Sequence, residues 1–175
     1  MFLKILIMSI IISSSMLIFD FNKTSDISDW KVVNDVVMGG RSTSEFYLNE
    51  QGHGVFTGAV SLENNGGFSF LRYRFNEKNI KDFKKVIIKL KGDGKEYQFR
   101  VKSNKYNQES YKKVFKTTGD WQTIEILLSD LQPTFRGQKL NIPNFTSNKL
   151  EEIGFLIANK KNESFALIIN KIVLE

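Results

Sequence analysis

Apolar and polar residues alternate with a period of two along most of this chain. In Phe68 to Phe75, Leu71, Tyr73 and Phe75 fall on one side, and Phe68, Phe70, Arg72 and Arg74 on the other. That spacing predicts a strand with one face in a core and an arginine pair opposite. Tyr97 to Lys102 repeats it, with Tyr97, Phe99 and Val101 inward and Gln98, Arg100 and Lys102 outward. The turn Lys91–Lys95 (KGDGK) precedes it and reads as the tip of a hairpin with Lys84 to Leu90. Similar runs occupy Leu17–Phe21, Arg41–Leu48, Gly54–Leu62, Tyr111–Phe115, Trp121–Leu128, Glu152–Ile157 and Phe165–Val173. About ten short strands closed by turn residues, with no long helical period between them, predict an all-β sandwich. Ser129 to Leu150 carries both prolines and little pattern, so it reads as a long ordered loop with a short helical turn over Ser147 to Glu152.

Two double glycines interrupt the pattern, Gly39-Gly40 in the run Trp30–Ser42 and Gly66-Gly67 in the run Ser61–Arg72. Adjacent glycines suit backbone with positive φ, or backbone that approaches a neighbour too closely for a Cβ. Charged and amide groups flank both corners: Asn34, Asp35 and Arg41 at the first, Glu63, Asn64, Asn65 and Arg72 at the second. Asn34, Asp35, Arg41, Glu63, Asn64 and Arg72, with Asp93 and Arg136, form the candidate binding patch, expected at one end of the sandwich where loops gather. Asp35 with Arg41, and Glu63 with Arg72, are the expected ion pairs; the alternative is that these groups only brace the glycine corners. Asp93, between two glycines, also suits a turn residue bonded to its own backbone.

Composition narrows the chemistry. A chain of 175 residues is one domain's worth, and 41% hydrophobic with 13% aromatic residues supports a packed core over a disordered chain. The net charge of +6 raises nucleic acid and anionic membranes as partners. Only five of the 25 basic residues are Arg, however, and the lysines are scattered, so no nucleic-acid partner is expected. With no Cys, thiolate catalysis, disulfides and Cys-ligated zinc are excluded, and His53, the only histidine, cannot build a His-rich metal site. No metal and no cofactor are expected.

Residues 1–15 run from Lys4 through an apolar stretch, Ile5 to Ile12, to Ser13 and Ser15. This order is that of a cleavable export signal, and the stretch is too short for a stable membrane span. Residues 16–175 then form the domain, placed in the periplasm or outside the cell. The competing reading starts the natural chain at Met16 and leaves it cytoplasmic.

Several motifs together carry a resemblance: WKVVNDVVMGGRS (Trp30–Ser42), GVFTGAVSLENNGGFSFLR (Gly54–Arg72), KGDGKEYQF (Lys91–Phe99), TTGDWQTIEI (Thr117–Ile126), LQPTFRGQKL (Leu131–Leu140) and IGFLIANKKNESFALIINKI (Ile153–Ile172). In this order they resemble the complex I intermediate-associated protein 30 family. The resemblance implies a galactose-binding-like jelly-roll β-sandwich acting as a non-catalytic binding or chaperone-like module, its partner a protein or protein complex such as an assembly intermediate of NADH:ubiquinone oxidoreductase. A carbohydrate-binding module on the same fold is the alternative. Trp30, Trp121, Tyr106 and Tyr111 are its candidate stacking surfaces, although both tryptophans also suit a place in the core. A third reading, hydrolysis by a carboxylate pair, would use Asp35 and Glu63.

Overall fold

The computed structural model describes residues 14–175. The expected export signal therefore lies almost wholly outside the described residues. Thirteen strands are present among them, all paired antiparallel: β1 (Met16–Asp20), β2 (Trp30–Asn34), β3 (Thr43–Leu48), β4 (Gly54–Val60), β5 (Ser69–Asn79), β6 (Lys85–Lys91), β7 (Glu96–Lys102), β8 (Ser110–Lys116), β9 (Trp121–Leu127), β10 (Gln132–Phe135), β11 (Gln138–Lys139), β12 (Lys149–Ile157) and β13 (Glu163–Leu174).

They form two sheets. One has the order β3-β4-β13-β6-β9, and β13 is long enough to pair with β4 along Glu163–Ile169 and with β1 along Lys171–Leu174. The other is seven-stranded, in the order β11-β10-β8-β7-β12-β5-β2. The core lies between them, because each strand turns its apolar alternate residues inward: Leu71 from β5, Tyr97, Phe99 and Val101 from β7, Ile153 and Phe155 from β12, and Leu167 and Ile169 from β13 are all sealed from solvent. At one margin Trp30 stacks on Tyr73 with ring centroids 4.7 Å apart, and Phe19, Phe21 and Phe46 pack around the indole. The fold is the jelly-roll sandwich expected.

Four local expectations are corrected. Three strands beyond the ten, β2, β10 and β11, appear where turn residues and Pro133 mask short pairings. The long loop is therefore interrupted by a small hairpin. No helical turn forms over 147–152, since β12 already begins at Lys149 and pairs with β5. Lys91–Lys95 is not a hairpin tip either: β6 belongs to the six-stranded sheet and β7 to the seven-stranded one, so this turn crosses between layers.

Asp93 braces the crossing. Its carboxylate accepts the Ala166 N–H of β13 at 3.0 Å, the Tyr97 hydroxyl of β7 at 2.9 Å and the Lys95 ammonium at 2.7 Å. One side chain thus joins both sheets. Burial pushes this carboxyl up, but these three donors reverse the effect and leave it below the ordinary value.

Candidate functional site

The two glycine corners meet at Asp35, which is 1% exposed. A short 3-10 turn, Asp35–Met38, ends in Gly39 at φ 89°, and the chain folds back so that the Gly40 N–H donates to the Asp35 carbonyl at 3.0 Å. The Asp35 carboxylate then accepts the Ser42 N–H at 2.9 Å and the Ser42 hydroxyl. From the second corner it accepts the N–H groups of Gly67 at 2.6 Å and Phe68 at 3.3 Å. Each glycine pair divides its work the same way. Gly39 and Gly67 take positive φ, whereas a Cβ on Gly40 or Gly66 would lie 2.4 or 2.6 Å from an Asp35 carboxylate atom. Burial raises the Asp35 carboxyl, and the hydrogen bonds from Ser42, Gly67 and Phe68 outweigh it, so the group is held below its ordinary value.

The ion pairs differ from those expected. Arg41 pairs with Glu63 at 3.1 Å, both side chains well exposed, and Asp35 has backbone and hydroxyl donors in place of an arginine. Asn34 accepts from the Ser44 and Ser69 hydroxyls, each at 2.7 Å, linking β3 of one sheet to β5 of the other. Asn64 and Asn65 sit at φ 55° and 60°, a left-handed conformation that asparagine tolerates. Asn34 and Asp35 therefore hold the corner, Asn64 turns the chain at its edge, and the exposed Arg41–Glu63 pair lies nearby. Every Asp35 oxygen is engaged and its charge is held on, which leaves it unsuited to exchange protons as one of a catalytic carboxylate pair.

Arg72 and Arg136 belong to a different place, the outer face of the seven-stranded sheet. Register sets one row across five strands: Lys31 opposite Arg72, Arg72 opposite Gly154, Gly154 opposite Arg100, and Arg100 opposite Lys112. A neighbouring row places Arg74 opposite Glu152 and Glu152 opposite Lys102. Four of the chain's five arginines thus collect on one face, although they are spread between positions 72 and 136 of the sequence. Glu152, 3% exposed, is the only carboxylate in those rows, and its Oε2 is held by Arg74 Nε at 2.6 Å.

A pocket of about 210 Å³ opens on this face between Phe70, Arg72, Arg100, Lys102, Phe135 and Arg136. The β10–β11 hairpin supplies its rim: Arg136 and Gly137 both have positive φ (46° and 81°), as a two-residue primed turn requires. For Arg136 this is a costly backbone conformation. The Phe70 ring occupies the space where a Cβ on Gly154 would be. The Arg72 Nε is buried without a hydrogen-bond partner.

Like charges and burial act together here. Burial, and then repulsion from Arg74, push Arg72 down from its ordinary value, with Glu152 opposing. Burial alone takes Arg100 down to about 10, still cationic at neutral pH. Burial lowers Lys102 and Lys112 as well; at the first Glu152 opposes while Arg74 and Arg72 add, and at the second Arg100 adds. The face carries uncompensated positive charge in a partly desolvated setting.

The aromatic candidates fall in separate places. Trp30 is buried, Tyr111 packs edge-on against Phe145 at 5.2 Å, Trp121 lies in β9 of the other sheet against His53, and Tyr106 is 80% exposed in the loop before β8. Among the described residues no group of three or more His, Cys, Asp or Glu side chains could hold a metal ion, and no helix is long and apolar enough to cross a membrane.

Residues 19–169 match the family model described as Complex I intermediate-associated protein 30. A comparison with curated proteins finds no match. Among solved structures, the chain is similar to the family 11 carbohydrate-binding module from Clostridium thermocellum in complex with a β-1,3-1,4-mixed-linked tetrasaccharide, with a TM-score of 0.68, 17% identity, and coverage of 91% of this chain and 94% of that one. It is also similar to a mutant family 29 carbohydrate-binding module, with a TM-score of 0.55, 10% identity and coverage of 93% and 92%. An agarase shares the fold over a quarter of its length, with a TM-score of 0.59, 10% identity and coverage of 93% and 25%. At such identities the likeness concerns the fold.

Proposed function

The chain belongs to the complex I intermediate-associated protein 30 family, and on that footing we infer that it is a non-catalytic binding module that holds a protein complex during assembly. The observation that carries this reading is the outer face of the seven-stranded sheet, where Arg72, Arg74, Arg100 and Arg136 gather beside a pocket. Electrostatic complementarity of that kind steers and orients a partner. Candidate partners are assembly intermediates of NADH:ubiquinone oxidoreductase. Deleting the gene and resolving membranes on native gels tests it. A lowered amount of the assembled enzyme with accumulated subcomplexes is expected, and an unchanged amount overturns the assembly role.

A carbohydrate-binding reading is supported by the fold shared with two carbohydrate-binding modules and by the exposed Tyr106. A glycan array separates the two: a strong hit abolished by Tyr106→Ala in a folded variant favours sugar. We propose separately that residues 1–15 direct export, a reading supported by the order of Lys4, the apolar stretch and the small residues that follow, and one that would take the chain away from a mitochondrial assembly partner. Cell fractionation checks it, with recovery in the cytoplasm favouring a start at Met16.

A further inference from the structure

On the sheet's outer face two rows lie side by side. The cationic row is Lys31, Arg72, Arg100 and Lys112, and the next row along the strands pairs Val33 with Phe70, Phe70 with Leu156, Leu156 with Gln98, and Gln98 with Val114. Residues two apart on a strand are separated by about 7 Å. Leu156 is buried and Gln98 is polar, so a ligand seated here meets cations along one line and, beside it, two apolar patches: Phe70 with Val33, and the exposed Val114.

We propose that the pocket of Arg72, Arg100, Lys102 and Arg136 receives the carboxylate of an acidic polypeptide segment whose neighbouring apolar side chains rest on the Val33–Phe70 and Val114 patches. The inference rests on the reading of this domain as a protein-binding module and names the chemistry of its partner. Charge complementarity selects an anion: four cations line the pocket, and Glu152, the carboxylate there, is already held by Arg74. The buried Nε of Arg72 has no acceptor, and a guanidinium with a free edge offers a carboxylate directed hydrogen bonds. The apolar patches of Phe70 with Val33 and of Val114 beside the cations distinguish a polypeptide from a polyuronate or a nucleic-acid backbone, which would bring no aliphatic side chains to them. Arg136 supplies the rim from a strained turn that the flanking pairs Thr134–Lys139 and Phe135–Gln138 hold in place.

The test uses the full chain and fluorescence anisotropy at low ionic strength. The probes are a labelled peptide alternating glutamate with leucine and serine, the same peptide with glutamine at each glutamate, polygalacturonate, and a single-stranded oligodeoxynucleotide. The glutamate peptide should bind at least about tenfold more tightly than its glutamine counterpart, and the preference should fade with added salt. The double variant Arg72→Gln, Arg100→Gln should lose that preference, while Lys89→Gln on the other sheet keeps it. Should the double variant fail to fold, Arg136→Gln at the exposed hairpin tip carries the same expectation. Equal binding of the two peptides, binding of neither, or tighter capture of polygalacturonate or oligonucleotide by the same arginines overturns the proposal. Capture of a native partner complex that persists in the folded double variant leaves protein binding standing and overturns this site alone.

Discussion

Asp35 accepts the backbone N–H of Gly67 at 2.6 Å across 32 positions of sequence, and through that bond two glycine corners become one structural unit. The carboxylate is sealed from solvent and has no cation among its hydrogen-bond partners, so its charge depends on Ser42, Gly67 and Phe68. Hydrogen bonds to a charged group each contribute more than neutral ones, and buried donors left without an acceptor are costly.

Asp35→Asn should therefore lower stability by about 2–4 kcal/mol, because the amide nitrogen would face a backbone N–H where an oxygen now accepts. The sign of the pH dependence follows from the lowered carboxyl. Its stabilising contribution is complete above the unfolded-state value of 3.8 and is lost as pH falls through the lower folded value. Melting curves of both proteins should show the variant's deficit at pH 6 closing as pH drops below about 4. A constant deficit across that range would remove the charge from the explanation.

Within each glycine pair the two positions should fail for different reasons. Gly39→Ala places a side chain at φ 89° in open space, at a cost of about 1 kcal/mol. Gly40→Ala drives a Cβ to 2.4 Å from the Asp35 carboxylate and should cost about 3 kcal/mol. Combining Gly40→Ala with Asp35→Ala should be markedly less than additive, which a double-mutant cycle by urea denaturation measures.

The exposed Arg41–Glu63 pair should matter little. Solvent screens both partners, and Arg41→Gln is expected to change stability by less than about 0.5 kcal/mol in chemical denaturation. A loss several times larger would mean that the pair holds the corner.

Lys112 sits beside Arg100 with its ammonium pushed below the ordinary lysine value by burial and by that neighbour. A base lowered in this way opposes folding at neutral pH, and the penalty disappears as pH rises from the folded value to the unfolded value of 10.5. Lys112→Met should therefore melt higher than the parent at pH 7, with the margin shrinking at alkaline pH. A lower melting temperature at pH 7 would show that the face is not electrostatically strained.

Much of this architecture is legible in the amino-acid sequence. Period-two alternation in Phe68–Phe75 and Tyr97–Lys102 assigned each residue to the inner or outer face, and Leu71, Phe99 and Val101 lie in the core while Arg72 and Arg100 face outward. The double glycines announced demanding backbone, and Gly39 and Gly67 have the positive φ that they suggested. The hairpin that Lys91–Lys95 predicts does not form, because β6 and β7 lie in different sheets. Turn chemistry dictates that the chain reverses, whereas the sheet joined by the next strand is set by the pairing of β7 with β12 and β8, distant segments that the turn residues do not report.

The basic face was hidden for the same reason. Arg72, Arg100 and Arg136 are far apart in sequence, and β12 inserts between β5 and β7 with Gly154 at the centre of the row. Local side-chain alternation and backbone tolerance are properties of neighbouring residues, so the amino-acid order alone determined the sandwich, the outward arginines and the glycine corners. Strand order and register are set by contacts between distant segments, and only the folded chain decided that Asp35 braces both corners and that the arginines share one pocket.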